Sequence, residues 1–145
     1  MAERFLVDTG VFVRWYLPQE GYHEALEIRS AYKEGVVGLE TVDFVRYELG
    51  HVLRSKGLLP GSMTHAEYVL AVRSIDDAGI VVHATTADVL ERAATLASLR
   101  MLRFFDALLI AWSLELGTTL LTTDKKLCHA VADIARTQLL AATSP

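Results

Sequence analysis

Short apolar runs alternate with longer stretches of helical period along the whole chain. Phe5-Leu6-Val7 stops abruptly at Asp8, the mark of a buried strand whose last residue reaches a sheet edge. Residues 9–17 then read as a helix stopped by Pro18, and residues 22–34 as a second helix closed by Gly35. Val36-Val37-Gly38-Leu39 reads as a second strand. Thr41 is placed to cap a long helix reaching Lys56, ended by Gly57, in which Val42, Val45, Leu49, Val52 and Leu53 keep the helical period. After the turn Leu59-Pro60-Gly61, Ser62 is a cap for a helix to about Ala78, and Gly79 opens a strand, Ile80-Val81-Val82. Thr86 caps a helix through Arg100. Phe104–Leu116 is a nearly all-apolar helix that reads as buried all round, with Gly117 as its stop. Thr119-Leu120-Leu121-Thr122 is a strand delivering Asp124. A helix over residues 125–134 and a short strand around 137–140 complete the pattern.

Strands alternating with helices predict an α/β sandwich, a mostly parallel sheet with helices on both faces. In such sheets chemistry gathers at the carboxyl ends of the strands. Asp8 and Asp124 each fall just past a strand end, so both are expected at that edge. No repeat, low-complexity run or Pro/Ser/Gly-rich linker interrupts the pattern, and residues 1–145 read as one domain.

Composition narrows the class. A chain of 145 residues with 52% apolar residues can bury a core without metal or disulfide staples. A single cysteine, Cys128, rules out an internal disulfide framework and points to a cytoplasmic setting. The start Met1-Ala2-Glu3-Arg4 matches neither a signal nor a transit peptide, and the uncharged run 107–114 is too short to span a bilayer, so no membrane is expected. A net charge of −4 disfavours a non-specific coat on nucleic acid. It does not exclude a nuclease whose acids bind metal.

Four carboxylates carry the chemistry. Asp8 and Asp124 each have a plain alternative as a helix N-cap. Glu48 sits mid-helix on the flank of the apolar stripe, where the plain reading is a rim glutamate paired with Arg46 or His51. Asp106 is the only charge in the run Phe104–Leu114, and a buried carboxylate without a partner costs several kcal/mol or takes up a proton. Its plain reading is a contact with free N–H groups in the first turn. Gathered without cations, four acids would raise one another's pKa, a penalty that a hard divalent cation removes. Mg²⁺ suits such a site, since it takes oxygen ligands and keeps several waters. The chemistry this implies is metal-assisted phosphodiester hydrolysis. Thr9 and Thr122 stand within two residues of these acids and can orient a carboxylate or a water, although each alone is an ordinary strand-end threonine.

The runs Phe5-Leu6-Val7-Asp8-Thr9-Gly10, Tyr47-Glu48-Leu49, Phe105-Asp106-Ala107-Leu108-Leu109-Ile110-Ala111 and Leu120-Leu121-Thr122-Thr123-Asp124-Lys125-Lys126-Leu127 resemble a PIN domain (PilT N-terminal domain). The resemblance covers residues 4 to about 140, and in size and motif spacing it is most like the VapC-type ribonuclease toxins of type II toxin–antitoxin systems. It implies a three-layer sandwich with strand order 3-2-1-4-5 and an endoribonuclease dependent on Mg²⁺ or Mn²⁺. The acids carried over are Asp8, Glu48, Asp106 and Asp124 as catalytic and metal-binding residues, with Thr9 and Thr122 as supporting hydroxyls. The same resemblance implies an RNA substrate, a homodimer and a cognate antitoxin whose C-terminal segment covers the acidic groove. Leu127 stands where many members carry Phe, and residues 136–145 match the usual last strand only loosely.

Two other readings stay open at this point. One is a PIN nuclease of RNA processing or decay without an antitoxin, which an adjacent small reading frame for a DNA-binding antitoxin would argue against. The other is a non-catalytic, receiver-like interaction module, although paired acids after the first strand and a Lys after the last are missing. There is no phosphate-binding Gly-Lys-Ser/Thr loop, no GxGxxG after the first strand, no Gly-x-Ser-x-Gly elbow and no zinc spacing among the five histidines and Cys128. Arg14, Arg46, Arg100, Arg103, Lys125 and Lys126 are candidates for gripping an RNA backbone, and Trp15, Tyr16 and Tyr22 for stacking on bases. Solvated helix surface and core packing are their plain alternatives.

Overall fold

A computed structural model describes residues 2–140. Five strands form one all-parallel sheet: β1 (Glu3–Val7), β2 (Val37–Val42), β3 (Val81–His83), β4 (Thr119–Thr122) and β5 (Thr137–Leu139), in the order β3-β2-β1-β4-β5. This is the order that the family resemblance implies. Along β1, Phe5, Leu6 and Val7 point alternately to the two faces and all are buried, so both faces are covered. Seven α-helices do this: α1 (Thr9–Val13), α2 (Tyr22–Lys33), α3 (Asp43–Leu53), α4 (His65–Asp77), α5 (Ala87–Arg100), α6 (Phe104–Leu116) and α7 (Lys125–Ala130). Helices α5 and α6 pack against each other as a pair, and α3 packs against both α1 and α4.

Several boundaries depart from the sequence reading. Thr41 does not cap α3. It is buried in β2 and donates its hydroxyl hydrogen to the Val7 carbonyl at 2.8 Å, so the strand absorbs the whole run Val37–Val42. Helix α3 starts only at Asp43, whose carboxylate accepts from the Thr85 N–H at 3.1 Å and from the Thr85 hydroxyl at 2.9 Å. That anchor ties the start of α3 to the loop after β3. The cap of α4 is Thr64 rather than Ser62, in a reciprocal capping box with Glu67. The segment expected as the end of α3 is instead a π-helical turn, Arg54–Leu58. The first and last helices are shorter than their periodicity suggests, because the chain turns after Val13 and after Ala130.

Helix α6 is not buried all round. Phe104, Phe105 and Leu114 are exposed, and the buried face runs from Ala107 to Ser113. A fifth strand does form, at Thr137–Leu139 beside β4, where the family match was loose. The final part of the loosely matching segment, residues 141–145, lies outside the described residues. No helix among the described residues is long and apolar enough to cross a membrane.

The sheet also buries one acid that the sequence reading passed over. Glu40 on β2 is 3% exposed, holding His83 at 2.8 Å and the Arg4 guanidinium. His83 in turn stacks on Trp112, with ring centroids 5.1 Å apart. With a cation on one side and a histidine on the other, Glu40 has partners that a buried carboxylate needs. It belongs to the sheet's own packing.

Candidate active site

Parallel pairing of β1 with β4 sets Val7 beside Leu121, so the residues that follow each strand emerge together at the carboxyl edge. Asp8 follows β1 and Asp124 follows β4 by two residues. Two other acids are carried there by helices: Glu48 from the middle of α3 and Asp106 from the first turn of α6. Asp8, Glu48 and Asp106 line one cleft of about 340 Å³, together with Thr9, Gly10 and Thr123. Asp124 lies next to this cleft, close enough for its charge to act on both Asp8 and Asp106.

Two buried threonines fix two of the carboxylates. Thr122, fully buried, donates its hydroxyl hydrogen to Asp8 Oδ2 at 2.7 Å and accepts the Asp124 N–H at 3.1 Å. Thr9 donates to Glu48 Oε1 at 2.9 Å. Each hydroxyl has one proton to give, so both donations are committed to a carboxylate. Asp124 does cap α7, accepting the Leu127 N–H on Oδ1 at 3.0 Å, so its plain role is real. Asp8 stands at the N-cap position of α1 without a side-chain cap hydrogen bond. Glu48 is not an Arg46 partner, since Arg46 reaches Asp76 at 2.6 Å.

The electrostatics follow from this crowding. Burial pushes the Asp8 carboxyl above the usual range, and the Asp124 charge pushes the same way, against hydrogen bonds from Thr122 and from the Thr9 and Gly10 N–H groups. Burial also raises Glu48, with the Asp8 charge adding to it, while Thr9 and His51 oppose. Asp106 is raised by burial, then by Asp8 and Asp124 and more weakly by Glu48, with only Arg103 opposing. Asp106 therefore senses all three of the other acids. Residues from positions 8 to 124 meet in one electrostatic neighbourhood.

The arrangement is open rather than a closed cage. Among the described residues no three His, Cys, Asp or Glu groups converge as a ready-made metal cluster. The donor set is entirely carboxylate oxygen, and burial, with like charge adding to it, raises Asp8, Glu48 and Asp106. Such a set suits a hard cation that keeps water in its shell and takes one or two protein carboxylates directly.

The cations and aromatics are placed less simply. Arg14 reaches the cleft, but its guanidinium is tied to the Gly10 carbonyl at 2.9 Å and the Glu20 carbonyl at 2.6 Å. Arg100 is paired with Asp133 through both of its terminal nitrogens, away from the acids. Trp15 is buried, edge-on to Phe12 and beneath Arg29, which also lies over Tyr16, while Tyr22 packs edge-on against His23. Two residues that the sequence reading did not single out do line the cleft: Lys56 and Phe105. An aromatic residue beside the one charge of the run Phe104–Leu114 was the available signal for the second. Nothing in the periodicity marks the first, because it rides on a π turn.

Thr122→Val offers a direct check on this geometry. It removes the donor to Asp8 and strands the Asp124 N–H inside the protein. We expect a loss of about 1–2 kcal/mol in stability, read by urea denaturation. Thr122→Ser should restore most of it.

A PIN domain model matches residues 5–133. None of the curated proteins matches the sequence. Among solved structures, the crystal structure of PAE2754 from Pyrobaculum aerophilum superposes with a TM-score of 0.67 at 22% identity, covering 94% of this chain and 92% of that one. A toxin–antitoxin complex from Klebsiella pneumoniae contains a chain similar at TM-score 0.68 and 15% identity, over 96% of this chain and 99% of that one. At these identities the two likenesses speak for the fold. The family match spans most of the sequence and includes all four acids of the carboxyl edge, and on that ground the chain belongs to the PIN domain family.

Proposed function

We propose that the protein, acting as one domain over residues 1–145, is a divalent-metal-dependent endoribonuclease and the toxin of a type II toxin–antitoxin pair. The observation that carries the reading is the convergence on Asp106 of the charges of Asp8, Asp124 and Glu48 at the carboxyl edge of the sheet. PIN domains are generally nucleases. The likeness to a chain from a toxin–antitoxin complex supports the antitoxin, as partner, over a stand-alone processing enzyme. A homodimer and a cytoplasmic setting belong to the same proposal.

Mg²⁺, or Mn²⁺ in its place, is the cofactor, and its ligands come from Asp8, Glu48, Asp106 and Asp124. When bound, such an ion supplies positive charge at the scissile phosphate and lowers the pKa of water. The chain's own residues do the rest. Thr122 fixes Asp8 and Thr9 fixes Glu48, so neither carboxylate has to be immobilised during the reaction. Asp124 spends one oxygen on the α7 cap, which leaves its Oδ2 for the site. Asp106 brings a half-buried carboxylate from the first turn of α6. No one acid is set apart as general base.

The test is cleavage of cellular RNA after induced expression, with sequencing of the new ends against an Asp8→Asn control. Discrete ends dependent on Asp8 support the reading. Identical end profiles from the two chains, both expressed and folded, would overturn it.

A further inference from the structure

The cleft has two walls that the metal chemistry does not use. Lys56 stands on the π turn Arg54–Leu58, and Phe105 stands in the first turn of α6. Resting on the nuclease reading, we propose that they hold an unpaired nucleic-acid strand across the acids, Lys56 on a backbone phosphate and Phe105 against a base.

For Lys56 the argument is placement and availability. It is exposed yet lines the acid cleft, and none of the ion pairs or side-chain hydrogen bonds among the described residues involves it. Arg14, the other cation of the cleft, is already committed to two carbonyls. The turn carrying Lys56 is specifically built. Leu59 donates its N–H to the Arg54 carbonyl at 3.0 Å, and the Gly57 carbonyl accepts from both Ser62 and Met63, at 2.9 and 3.1 Å. Gly57 is buried, and a Cβ there would stand 2.5 Å from Met63 Sδ. Wide turns of this kind recur at functional sites, where they re-aim a residue that a plain helix would place elsewhere.

For Phe105 the argument is exposure where burial would be expected. It is 52% exposed next to Asp106, while Phe44 behind it is 8% exposed, with the two rings 5.1 Å apart and tilted by 39°. Phe44 backs the ring and Phe104 meets it edge-on, and the surface that stays exposed remains for a ligand. A phenyl ring beside anionic groups cannot recruit phosphate, but it offers a stacking surface to any base. A base held in a duplex cannot use that surface, so the pair selects an unpaired strand. The lysine supplies a positive charge whose donors are free to meet a phosphate, helping a polyanion approach a negative cleft.

Binding separates the two contributions. The full chain carrying Asp106→Asn, once checked to leave the RNA uncut, is titrated with a fluorescein-labelled unstructured RNA and with a hairpin of equal length, over a series of KCl concentrations in Mg²⁺. Lys56→Gln should reduce the slope of log Kd against log salt by about 0.7, the share of one phosphate contact on a single strand. Phe105→Ala should weaken the unstructured RNA about tenfold with the slope unchanged and the hairpin barely affected. Phe105→Leu, which keeps an apolar side chain against Phe44, should follow in the same direction. Lys33→Gln removes an equal charge at the end of α2, which leads into the first residue of β2 at the opposite edge, and should alter neither quantity.

If Lys56→Gln leaves the slope unchanged and both Phe105 variants bind like the parent, the proposal falls while the nuclease reading stands. If Phe105→Ala changes the molar mass in light scattering but not RNA affinity, the ring is a contact between copies and the base platform is wrong. A wild-type chain that neither binds nor cleaves RNA overturns the nuclease reading itself.

Discussion

Asp8→Asn is expected to lower RNA cleavage roughly a thousandfold, a loss of about 4 kcal/mol of transition-state stabilisation. The substitution keeps the shape of the side chain and an oxygen able to accept the Thr122 hydroxyl hydrogen, so the fold should persist. What disappears is one negative charge at the point where β1 and β4 open. Asp106→Asn should behave alike, because Asp106 lines the same cleft and feels the charges of the other three acids. Single-turnover cleavage with saturating Mg²⁺ measures the loss, and circular dichroism of both variants checks the fold. Near-wild-type rates in both would remove the four-acid site from consideration. Retained activity in Asp106→Asn alone would reduce that residue to a tuner of its neighbours.

How much of this was legible beforehand differs between fold and site. Helix α6 and strand β4 are where the sequence puts them, since a predominantly apolar run between Arg103 and Gly117 has few alternatives. Gly117 sits at φ 62°, the left-handed stop that its position suggested. The α3 boundary was misjudged because Thr41 and Val42 fit a cap-and-helix pattern locally. Only the sheet supplies the competing bond from Thr41 to Val7 across 34 residues of sequence separation. The π turn at residues 54–58 leaves no periodic trace over five residues.

The acids were legible individually as oddities, most of all Asp106 in its apolar helix. Their meeting depends on topology. It was deduced from strand ends for Asp8 and Asp124, but for Glu48 and Asp106 it came through resemblance alone. The hydroxyl partners show why one sequence cannot finish the task. Thr122 binds Asp8 across 114 positions and Thr9 binds Glu48 across 39, pairings that no local pattern encodes. Lys56 and Phe105 were missed for the same reason, since each matters only through the cleft they share.

Metal-free protein should lose stability as pH rises above the ordinary carboxylate range, against the usual trend for carboxylate-rich proteins. Asp8, Glu48 and Asp106 all have folded pKa values raised above their ordinary 3.8, 4.5 and 3.8. Between the ordinary and raised values the folded state holds more protons than the unfolded state, so stability falls as pH rises through that window. Glu67 and Asp133 shift the other way and favour the fold above their ordinary values, but both are surface groups, screened by solvent and salt. The three acids should therefore set the trend above the ordinary carboxylate range. Adding Mg²⁺ at pH 8 should reverse it. At a hundred times its Kd the ion stabilises by about 2.7 kcal/mol, a rise of roughly 5–10 °C in melting temperature. Asp106→Asn should melt about 2–5 °C higher than wild type without metal, because one repelling charge is gone, and should respond less to Mg²⁺. Differential scanning calorimetry across pH 5–8, with EDTA and with Mg²⁺, reads all of these. A metal-free Asp106→Asn chain melting well below wild type would make that carboxylate part of the scaffold, and its charge could no longer be the reason an ion is needed.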